Sequence, residues 1–261
     1  MKIWFTDGKG ELAAALKRSL AGHDFAEGEA EAVLDDGKLA GQILEAMPDI
    51  IIHNAELKTG EREELFRWNE EGARNAALAA KMSGARLFSI STAEVFSGEP
   101  PRQPWAWGET DIPRPQTDYG ASKAAGEQMV QMICPEATIV RTGWIYGKQD
   151  TDFIKAALEG GEADDSERGN PTSVKTVAEA IRFLTVHPDV SGIVHVSAED
   201  QCTRYEAAKL AAELLGTGRE VRRREGAAKC WALKKSVLNV MGYRTPKWQD
   251  DLSEFIREEQ S

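Results

Sequence analysis

Pro48-Asp49-Ile50-Ile51-Ile52-His53 is the stretch of sequence that decides the fold. Its three consecutive isoleucines are β-branched residues, which favour strands, and Pro48 ends the helical pattern of the preceding segment, Leu39–Met47. A strand that is apolar at successive positions is typical of a parallel sheet that helices cover on both faces. We therefore predict a buried parallel strand at residues 49–53.

Helix and strand patterns alternate on both sides of this strand. The predicted helices are Leu12–Leu20, Leu39–Met47, Glu61–Met82 and Ala121–Ile133, and the predicted strands are Ile3–Thr6, Gly22–Glu27, Arg86–Ser91 and Ala137–Arg141. Such alternation predicts βαβ units. The expected fold class is α/β, with a Rossmann-type doubly wound parallel sheet.

The pattern changes after Gly147, where helical segments dominate. Helical patterns occupy Phe153–Leu158, Val174–Val186, Tyr205–Leu215 and Asp250–Arg257, with a clear strand at Gly192–Val196 and a weaker one near Glu220–Arg223. We expect a Rossmann domain at residues 1–147 and mainly a smaller C-terminal α/β lobe at 148–261, with some segments of that half returning to the first domain.

Composition and charge exclude several classes of protein. Hydrophobic residues make up 41% and charged residues 29% of the chain, a globular rather than a disordered balance. No run approaches the roughly 20 apolar residues of a membrane span, and the first residues lack the apolar core of a signal peptide. The net charge of −11 argues against nucleic-acid or membrane-surface partners. Three scattered cysteines without metal-ligand spacing predict free thiols, no metal site and a cytoplasmic location.

Basic residues are concentrated in the segment from Arg219 to Lys247. They are Arg219, Arg222, Arg223, Arg224, Lys229, Lys234, Lys235, Arg244 and Lys247, against the acidic Glu220 and Glu225. Two interpretations stay open. These side chains form a solvated charged face, or some of them hold a substrate diphosphate, which Arg and Lys bind well.

Ser97–Asp118 is rich in proline and contains Trp105 and Trp107. Proline excludes both a helix interior and a central strand, so this segment is a loop. A loop of this length in a compact domain is usually functional or mobile. Because it lies between two candidate motifs, we expect it to border the site, with Trp105 and Trp144 lining a pocket.

Tyr119-Gly120-Ala121-Ser122-Lys123 places a phenol and an amine one helical turn apart. Residues i and i+4 lie on the same face of a helix, so the two side chains can reach one point. A nearby ammonium favours tyrosinate, and we expect Lys123 to lower the pKa of Tyr119. Tyr119 is then a candidate proton donor to a carbonyl, or an acceptor in the reverse direction. By itself, the pair also fits an ordinary exposed helix start.

The strand before the proline-rich loop ends in hydroxyl residues. It reads Phe88-Ser89-Ile90-Ser91-Thr92 and continues as Ala93-Glu94-Val95-Phe96. Ligands of open α/β sheets bind at the carboxyl ends of strands, so Thr92 is a candidate to hydrogen-bond a substrate oxygen. The alternative is that Thr92 only caps the following turn.

These motifs together resemble the extended short-chain dehydrogenase/reductase family. The resemblance rests on Ser91–Gly98 and Tyr119–Lys123, supported by Ile51–Ala55 and by Asn69 within Trp68–Gly72. The runs Arg141–Gly147, Gly169–Ser173 and Ser236–Pro246 are similar to the dTDP-4-dehydrorhamnose reductase branch.

The resemblance implies NAD(P) binding by residues 1–147 and substrate binding by the lobe at 148–261. It implies Thr92, Tyr119 and Lys123 as the catalytic set. The implied cofactor-binding residues are Gly8, Lys9, Gly10, Glu11, Leu12, Asn54, Ala55, Asn69, Tyr119 and Lys123. The implied substrate-binding residues are Glu94, Trp105, Trp144, Asn170, Pro171 and Thr172. The expected partner is a nucleotide-sugar small molecule, and a homodimer is one option for an open oligomeric state.

The chain departs from the family in its first loop, Thr6-Asp7-Gly8-Lys9-Gly10-Glu11-Leu12-Ala13. Glycines in this loop let the backbone approach the cofactor pyrophosphate at a helix amino terminus. Gly8 and Gly10 are kept and Ala13 stands for the last glycine, but Asp7 takes the place of the first. The expected cofactor is NAD or NADP, bound more weakly if the Asp7 carboxylate faces the pyrophosphate instead of turning away or pairing with Lys9.

Two further features bear on ligand choice. Glu27 lies near the distance expected for a ribose-binding acid, which would favour NAD, and the alternative is a plain surface glutamate. For rhamnose-forming reductases, the resemblance implies Asp and Tyr after the hydroxyl residue. This chain has Ala93 and Glu94 at those two positions, and so departs from that branch.

The leading hypothesis is an NAD(P)-dependent reductase of a keto group on a nucleotide-linked deoxysugar. The runner-up is a non-catalytic nucleotide- or partner-binding regulatory protein of the same fold, similar to methionine adenosyltransferase regulatory subunits, which Asp7 and Ala93-Glu94 favour. An epimerase or dehydratase fits less well, because only Glu94 matches the Asp-Glu pair of the dehydratases.

Overall fold

The computed structural model describes residues 1–99, 105–148 and 152–260. Its strands are β1 (Lys2–Phe5), β2 (Asp24–Glu27), β3 (Ile50–His53), β4 (Arg86–Thr92), β5 (Thr138–Thr142), β6 (Trp144–Tyr146), β7 (Glu162–Asp164), β8 (Glu167–Gly169), β9 (Pro171–Ser173), β10 (Gly192–Val196), β11 (Cys202–Thr203), β12 (Arg222–Arg224) and β13 (Lys229–Cys230). Pro100, Pro101 and Pro104 of the proline-rich segment lie outside the described residues.

Most of the helices lie in intervals where the sequence pattern predicts them, whereas the short helix Ser236–Val240 was not predicted. The helices are α1 (Glu11–Ser19), α2 (Asp36–Ala46), α3 (Arg62–Phe66), α4 (Gly72–Ser83), α5 (Asp118–Ile133), α6 (Asp152–Glu159), α7 (Val174–Thr185), α8 (Arg204–Leu215), α9 (Ser236–Val240) and α10 (Trp248–Glu259). Over the three described ranges, no helix has both the length and the apolar character needed to cross a membrane.

Six strands form the central sheet in the order β10-β5-β4-β3-β1-β2. Strand β1 pairs in parallel with β2 and β3, and β3 pairs in parallel with β4. The three isoleucines of β3 are at most 3% exposed, as expected for a strand that is covered on both faces. The predicted α/β fold with a Rossmann-type parallel sheet is confirmed.

The chain divides into two compact units built from interleaved segments. Unit 1 comprises Met1–Ser97, Ile112–Arg141 and Ile181–Val194, and unit 2 comprises Gly98–Asp111, Thr142–Ala180 and His195–Ser261. Ile181–Val194 is therefore a segment of the second half of the chain that belongs to unit 1. The core of unit 1 is rich in alanine and aliphatic side chains, whereas that of unit 2 contains the aromatic residues Tyr146, Phe153 and Trp248.

The helix predicted over residues 61–82 is interrupted by a π-helical turn at Arg67–Glu71, between α3 and α4. The carbonyl oxygen of Asn69 in this turn lies so near α5 that a Cβ on Gly126 would be 2.2 Å from it. The interruption thus coincides with close packing against another helix. Hydrophobic periodicity within one segment carries no information on such packing.

Candidate active site

Helix α5 carries Tyr119 to the end of strand β4. Thr117 caps this helix by accepting a hydrogen bond from the Gly120 N–H at 2.9 Å, so α5 begins before its predicted start. A Cβ on Gly120 would lie 2.2 Å from the carbonyl oxygen of Glu94, in the turn that follows β4. Glycine at this position therefore allows the helix to approach the turn, which brings Tyr119 beside Thr92.

The side chains of Tyr119 and Lys123 come close together, and both contact the carboxylate of Glu56. The Tyr119 hydroxyl donates to Oε2 of Glu56 at 2.9 Å, and Nζ of Lys123 lies 3.1 Å from the same oxygen. Lys123 is 6% exposed and also donates to the carbonyl oxygen of Ile90 at 2.8 Å. The phenol of Tyr119 and the amine of Lys123, both on α5, thus contact the same carboxylate oxygen.

The expected lowering of the Tyr119 pKa is wrong. Burial raises the pKa of Tyr119 well above its ordinary value, and the charge and hydrogen bond of Glu56, together with the charge of Glu94, raise it further. A hydrogen bond with Thr92 acts in the opposite direction. Burial is the largest cause of the reversal; in addition, the ammonium of Lys123 is paired with Glu56, so that Tyr119 faces a carboxylate. Tyr119 is therefore held as a phenol, the proton-donating form.

Thr92 ends β4 and serves two partners. Its hydroxyl accepts a hydrogen bond from the Glu94 N–H at 3.2 Å, as a turn cap does, and it also bonds to the Tyr119 side chain. Thr92 thus caps the turn and also lies at the candidate site. The two interpretations that the sequence left open for its hydroxyl are therefore compatible. Thr92, Tyr119 and Lys123 are brought together in unit 1.

The loop after β1 is fastened to the end of β3. The buried Thr6 hydroxyl accepts from the N–H groups of Asn54 and Ala55, both at 3.0 Å. The Asn54 amide in turn accepts from the Asp7 N–H at 3.1 Å and donates to the Asp7 carbonyl at 2.7 Å. Asn54 and Ala55 therefore set the position of the loop that contains Gly8 and Gly10.

The Asp7 carboxylate turns back onto its own loop. Its Oδ1 accepts from the backbone N–H of Lys9 at 3.0 Å. No side chain caps the amino end of α1, whose N-cap is Gly10, and Ala13 in its first turns is fully buried. An uncapped helix amino terminus behind a glycine-containing loop suits a pyrophosphate. The described residues therefore fit a dinucleotide, with the Lys9 amide already engaged by Asp7.

Glu27 lies at the end of β2, next to the same loop. Its carboxylate forms an ion pair with Lys17, which also donates to the carbonyl oxygen of Gly8 at 2.9 Å. A Cβ on Gly8 would lie 1.8 Å from Oε2 of Glu27. Glu27 therefore borders the loop rather than an unrelated part of the surface.

Asn69 is buried and fully engaged within the protein. Its Oδ1 accepts from the Leu57 N–H at 3.0 Å, and its Nδ2 donates to the Leu57 carbonyl at 2.8 Å and to the Ser122 hydroxyl at 2.9 Å. It thereby fixes the segment just after Glu56 against α5. Direct contact of Asn69 with a cofactor stays a prediction.

In unit 2, the residues predicted to bind substrate hold the fold together. Oδ1 of Asn170 accepts from the Leu233 N–H at 2.7 Å, and its Nδ2 donates to the Asp200 carbonyl. The hydroxyl of Thr172, which is fully buried, donates to the Asn170 carbonyl at 2.9 Å and accepts from the Ala198 N–H at 2.9 Å. Pro171, between them, is buried in β9.

The two predicted pocket tryptophans differ in environment. Trp105 is 49% exposed and has a positive φ of 60°, and its carbonyl accepts from the thiol of Cys230. Trp144 packs on Gly169, where a Cβ would lie 2.6 Å from its ring, and the guanidinium of Arg204 stacks at 4.3 Å from the ring centroid.

The basic segment is largely neutralised within unit 2. Its side chains form ion pairs between Arg222 and Glu162 (3.7 Å), Arg223 and Asp165 (3.0 Å), Arg224 and Asp164 (3.5 Å), and Lys229 and Glu167 (3.2 Å). Strand β12, which carries the three arginines, is exposed. The contacts favour the charged face over a diphosphate site for these four residues.

Glu56 is the site residue that sequence reasoning missed. The sequence does contain a signal for it. Glu56 comes shortly after a buried strand, at the edge of the sheet where ligands of α/β proteins bind. That signal could not show that the chain turns there toward α5, because Asn69 and Thr6, far apart in sequence, fix the turn.

Comparison with known proteins agrees with this geometry. The RmlD substrate binding domain family matches residues 1–261. The spore coat polysaccharide biosynthesis protein SpsK of Bacillus subtilis is 31% identical over 82% of this chain and 81% of its own. The crystal structure of dTDP-4-dehydrorhamnose reductase from Bacillus anthracis in complex with NADP superposes with a TM-score of 0.90 and 29% identity over 98% of each chain. Methionine adenosyltransferase 2 subunit beta of Danio rerio is 30% identical over 67% of this chain and 58% of its own.

The family predicted from the motifs at Thr92 and at Tyr119–Lys123 is confirmed. The match extends over the whole chain, so that it includes both units rather than the Rossmann domain alone. The chain belongs to the RmlD substrate binding domain family.

Proposed function

We propose that this protein is an NAD(P)-dependent reductase of a keto group on a nucleotide-linked deoxysugar. The observation that carries the proposal is the meeting of Thr92, Tyr119 and Lys123 at the carboxyl end of β4. The similarity to a dTDP-4-dehydrorhamnose reductase that binds NADP supports both the cofactor and the class of substrate.

Each side chain has a defined task in this reaction. Tyr119, a buried phenol, donates its proton to the carbonyl oxygen of the sugar while Thr92 orients that oxygen by a hydrogen bond. Lys123 holds the ribose of the cofactor and stabilises the tyrosinate that remains after proton transfer. Gly8, Lys9 and the amino end of α1 hold the pyrophosphate. When bound, the reduced nicotinamide supplies the hydride to the carbonyl carbon.

Substrate binding is proposed for residues of unit 2; for Glu94, which belongs to unit 1, contact with substrate stays a prediction from the sequence. Trp105 is exposed and Trp144 is half-buried, so these two rings can contact a ligand. Asn170, Pro171 and Thr172 then shape the site from beneath, since their side chains are buried. A homodimer and a cytoplasmic location remain part of the proposal, the latter supported by three free cysteines.

For the cofactor itself we propose a preference for NAD over NADP. The carboxylate of Glu27 borders the glycine-containing loop at the end of β2, where an acid bonds the ribose hydroxyls and repels a 2′-phosphate. The comparison of dissociation constants for NADH and NADPH by titration calorimetry tests this preference. Tighter binding of NADPH would contradict it, and Glu27→Gln is expected to reduce the difference.

The function is tested with a dTDP-4-keto-6-deoxysugar and reduced cofactor, by following the loss of nicotinamide absorbance. The wild-type chain is expected to turn over, and Tyr119→Phe is expected to lose about 10²- to 10⁴-fold in kcat, the usual contribution of a positioned proton donor. Thermal unfolding of both proteins shows whether the fold is kept. Near-parental turnover by Tyr119→Phe would remove this mechanism.

The regulatory alternative is favoured by one observation, the engagement of the Lys9 amide by Asp7. Methionine adenosyltransferase 2 subunit beta of Danio rerio is among the relatives. A regulatory protein has no need of a buried phenol hydrogen-bonded to both a hydroxyl and a carboxylate. Failure of the well-folded protein to bind either NADH or NADPH would favour the regulatory function.

A further inference from the structure

Glu56 has no task in the proposed reaction, although it touches two of the residues that do. A single oxygen, Oε2, accepts the hydrogen bond of Tyr119 at 2.9 Å and lies 3.1 Å from Nζ of Lys123. The Glu56 side chain is 24% exposed and Lys123 is 6% exposed. The carboxylate is therefore largely shielded from water, where charges interact strongly.

The position of Glu56 is built into the fold on both sides of the residue. Before it, the N–H of Ala55 donates to the Thr6 hydroxyl at 3.0 Å. After it, both backbone groups of Leu57 bond to the Asn69 amide, at 3.0 and 2.8 Å. The backbone is thus fixed by two buried polar side chains, and Glu56 is not a surface residue that happens to lie near Tyr119.

The charged groups around this point keep Glu56 ionised. Burial alone would raise the pKa of Glu56, but the charges of Lys123 and Lys58 and the hydrogen bonds from Lys123 and Tyr119 outweigh it, so the pKa is lowered. Nζ of Lys58 lies 3.6 Å from Oε1. An ionised carboxylate can only accept, so the proton between the two oxygens belongs to the phenol.

We propose that Glu56 is a positioning residue that holds the Tyr119 phenol and keeps it protonated, so that the site retains its proton donor for carbonyl reduction up to a higher pH. The inference rests on the proposed function. Reduction needs Tyr119 as a proton donor, whereas oxidation needs the tyrosinate as a base. With Glu56 in place, ionising Tyr119 would put two negative oxygens at hydrogen-bond distance, with Lys123 shared between them.

Other titratable groups near Tyr119 do not reproduce this arrangement. Glu94 acts on Tyr119 through its charge. His53, behind Glu56, is buried, and burial followed by the charge of Lys123 lowers its pKa to about 3, so it is neutral at physiological pH. Lys58 and Lys123 are the cations at this point, and both face Glu56.

The first test measures the ionisation of Tyr119 in the free protein, without substrate or cofactor. The tyrosinate absorbance of Tyr119 is obtained by subtracting the pH titration of Tyr119→Phe from that of the wild type. The same subtraction is made in a Glu56→Gln background, and circular dichroism at each pH reports unfolding. Glu63→Gln is the matched control, because it removes a carboxylate from the exposed face of α3.

The midpoint for Tyr119 is expected at least one pH unit lower in Glu56→Gln than in the wild type, and unchanged in Glu63→Gln. Ionisation of Tyr119 before unfolding in Glu56→Gln, but only with unfolding in the wild type, supports the inference equally. Equal midpoints, or ionisation only with unfolding in both proteins, would overturn it. This result does not depend on any substrate, so the inference and the proposed function fail separately.

The second test compares the two directions of turnover. In Glu56→Gln, the alkaline limb of kcat/KM for reduction is expected to move to lower pH. The acid limb of kcat/KM for oxidation of the sugar alcohol is expected to move to lower pH by the same amount, at least one pH unit. pH profiles that are unmoved in both directions would overturn the inference even if Tyr119→Phe is inactive.

Discussion

Glu127 and Arg141 form a fully buried ion pair beneath the site in unit 1. The Nε and Nη2 atoms of Arg141 donate to the two carboxylate oxygens at 2.8 and 2.7 Å, and the Ser91 hydroxyl donates to the carboxylate at 2.5 Å. The guanidinium is 0% exposed and stacks at 5.0 Å from the ring of Phe96. The pair joins β4, α5 and β5 next to Thr92.

Removal of one partner of this pair is expected to be costly. Glu127→Ala leaves the guanidinium charge buried without its counterion, and should lower the free energy of unfolding by about 3–5 kcal/mol. Urea denaturation followed by circular dichroism measures the change. An exposed pair provides the comparison: Lys175→Ala, whose partners Glu254 and Glu258 are both about half exposed, should cost about 1 kcal/mol or less.

The double variant Glu127→Leu/Arg141→Met separates charge from packing. Both changes replace the pair by apolar side chains of similar size, so most of the stability lost in Glu127→Ala should return. A loss in the double variant as large as in Glu127→Ala would show that the unpaired charge is not the source of the cost.

His53 makes stability depend on pH in the acid range. The Thr6 hydroxyl already accepts from two backbone N–H groups, so its own hydrogen points to Nδ1 of His53, 3.2 Å away. That bond needs a neutral imidazole, in agreement with the pKa of about 3 that burial imposes first and Lys123 second.

The sign of the effect follows from proton counts. In the unfolded chain, His53 binds a proton near its usual pKa of about 6.5, whereas in the folded chain it stays neutral down to about 3. The unfolded state therefore holds the extra proton between these values, and the free energy of unfolding should fall by about 1.4 kcal/mol per pH unit on acidification through this range. Urea denaturation from pH 7 to pH 4 should give a smaller slope for His53→Asn. Parallel curves for the two proteins would contradict this account.

The sequence predicts local structure better than contacts between distant segments. The strand at Gly192–Val196 was predicted with the bounds that it has, and β3 was predicted to within one residue at its start, because their signal lies within the segment itself. The three-residue strands β6 and β9 were not predicted. They are strands only because they pair with each other, and the paired residues Trp144 and Pro171 are 27 positions apart in the sequence.

The same distinction holds for the site. The spacing of Tyr119 and Lys123 on one helix, and the position of Thr92 at a strand end, were enough to predict that they meet. The expected direction of the Tyr119 pKa shift was wrong, first because the phenol is buried and second because a third residue, Glu56, faces it. Its approach depends on Asn69 and Thr6, whose side-chain bonds no local pattern reveals.

Asp7 should weaken cofactor binding by its charge. Asp7→Asn keeps an oxygen that can accept from the Lys9 N–H, so the loop conformation should persist while the repulsion of the pyrophosphate is removed. The dissociation constant for NADH should fall about two- to fivefold, the equivalent of roughly 0.5–1 kcal/mol for an exposed charge. Titration calorimetry at low and high salt measures it, and the gain should shrink as salt screens the charge. Weaker binding by Asp7→Asn would show that the carboxylate supports the loop in a way that the amide cannot.

Gly120 sets the distance between α5 and β4, and therefore the position of Tyr119. An alanine Cβ at this position would lie 2.2 Å from the carbonyl oxygen and 3.0 Å from the carbonyl carbon of Glu94, and both atoms belong to the backbone. The helix must move away, which separates Tyr119 from Thr92.

Gly120→Ala is therefore expected to lower kcat by about 10²-fold, as a misplacement of roughly 1 Å does, with a smaller effect on the affinity for cofactor. The matched control is Gly41→Ala in α2, where nothing lies within 4 Å of the added Cβ. Because alanine favours a helix interior, the control should gain about 0.5–1 kcal/mol in stability and keep its activity. Equal activity of the two variants would mean that the reaction tolerates a shift of Tyr119, and the close approach of α5 would then serve packing alone.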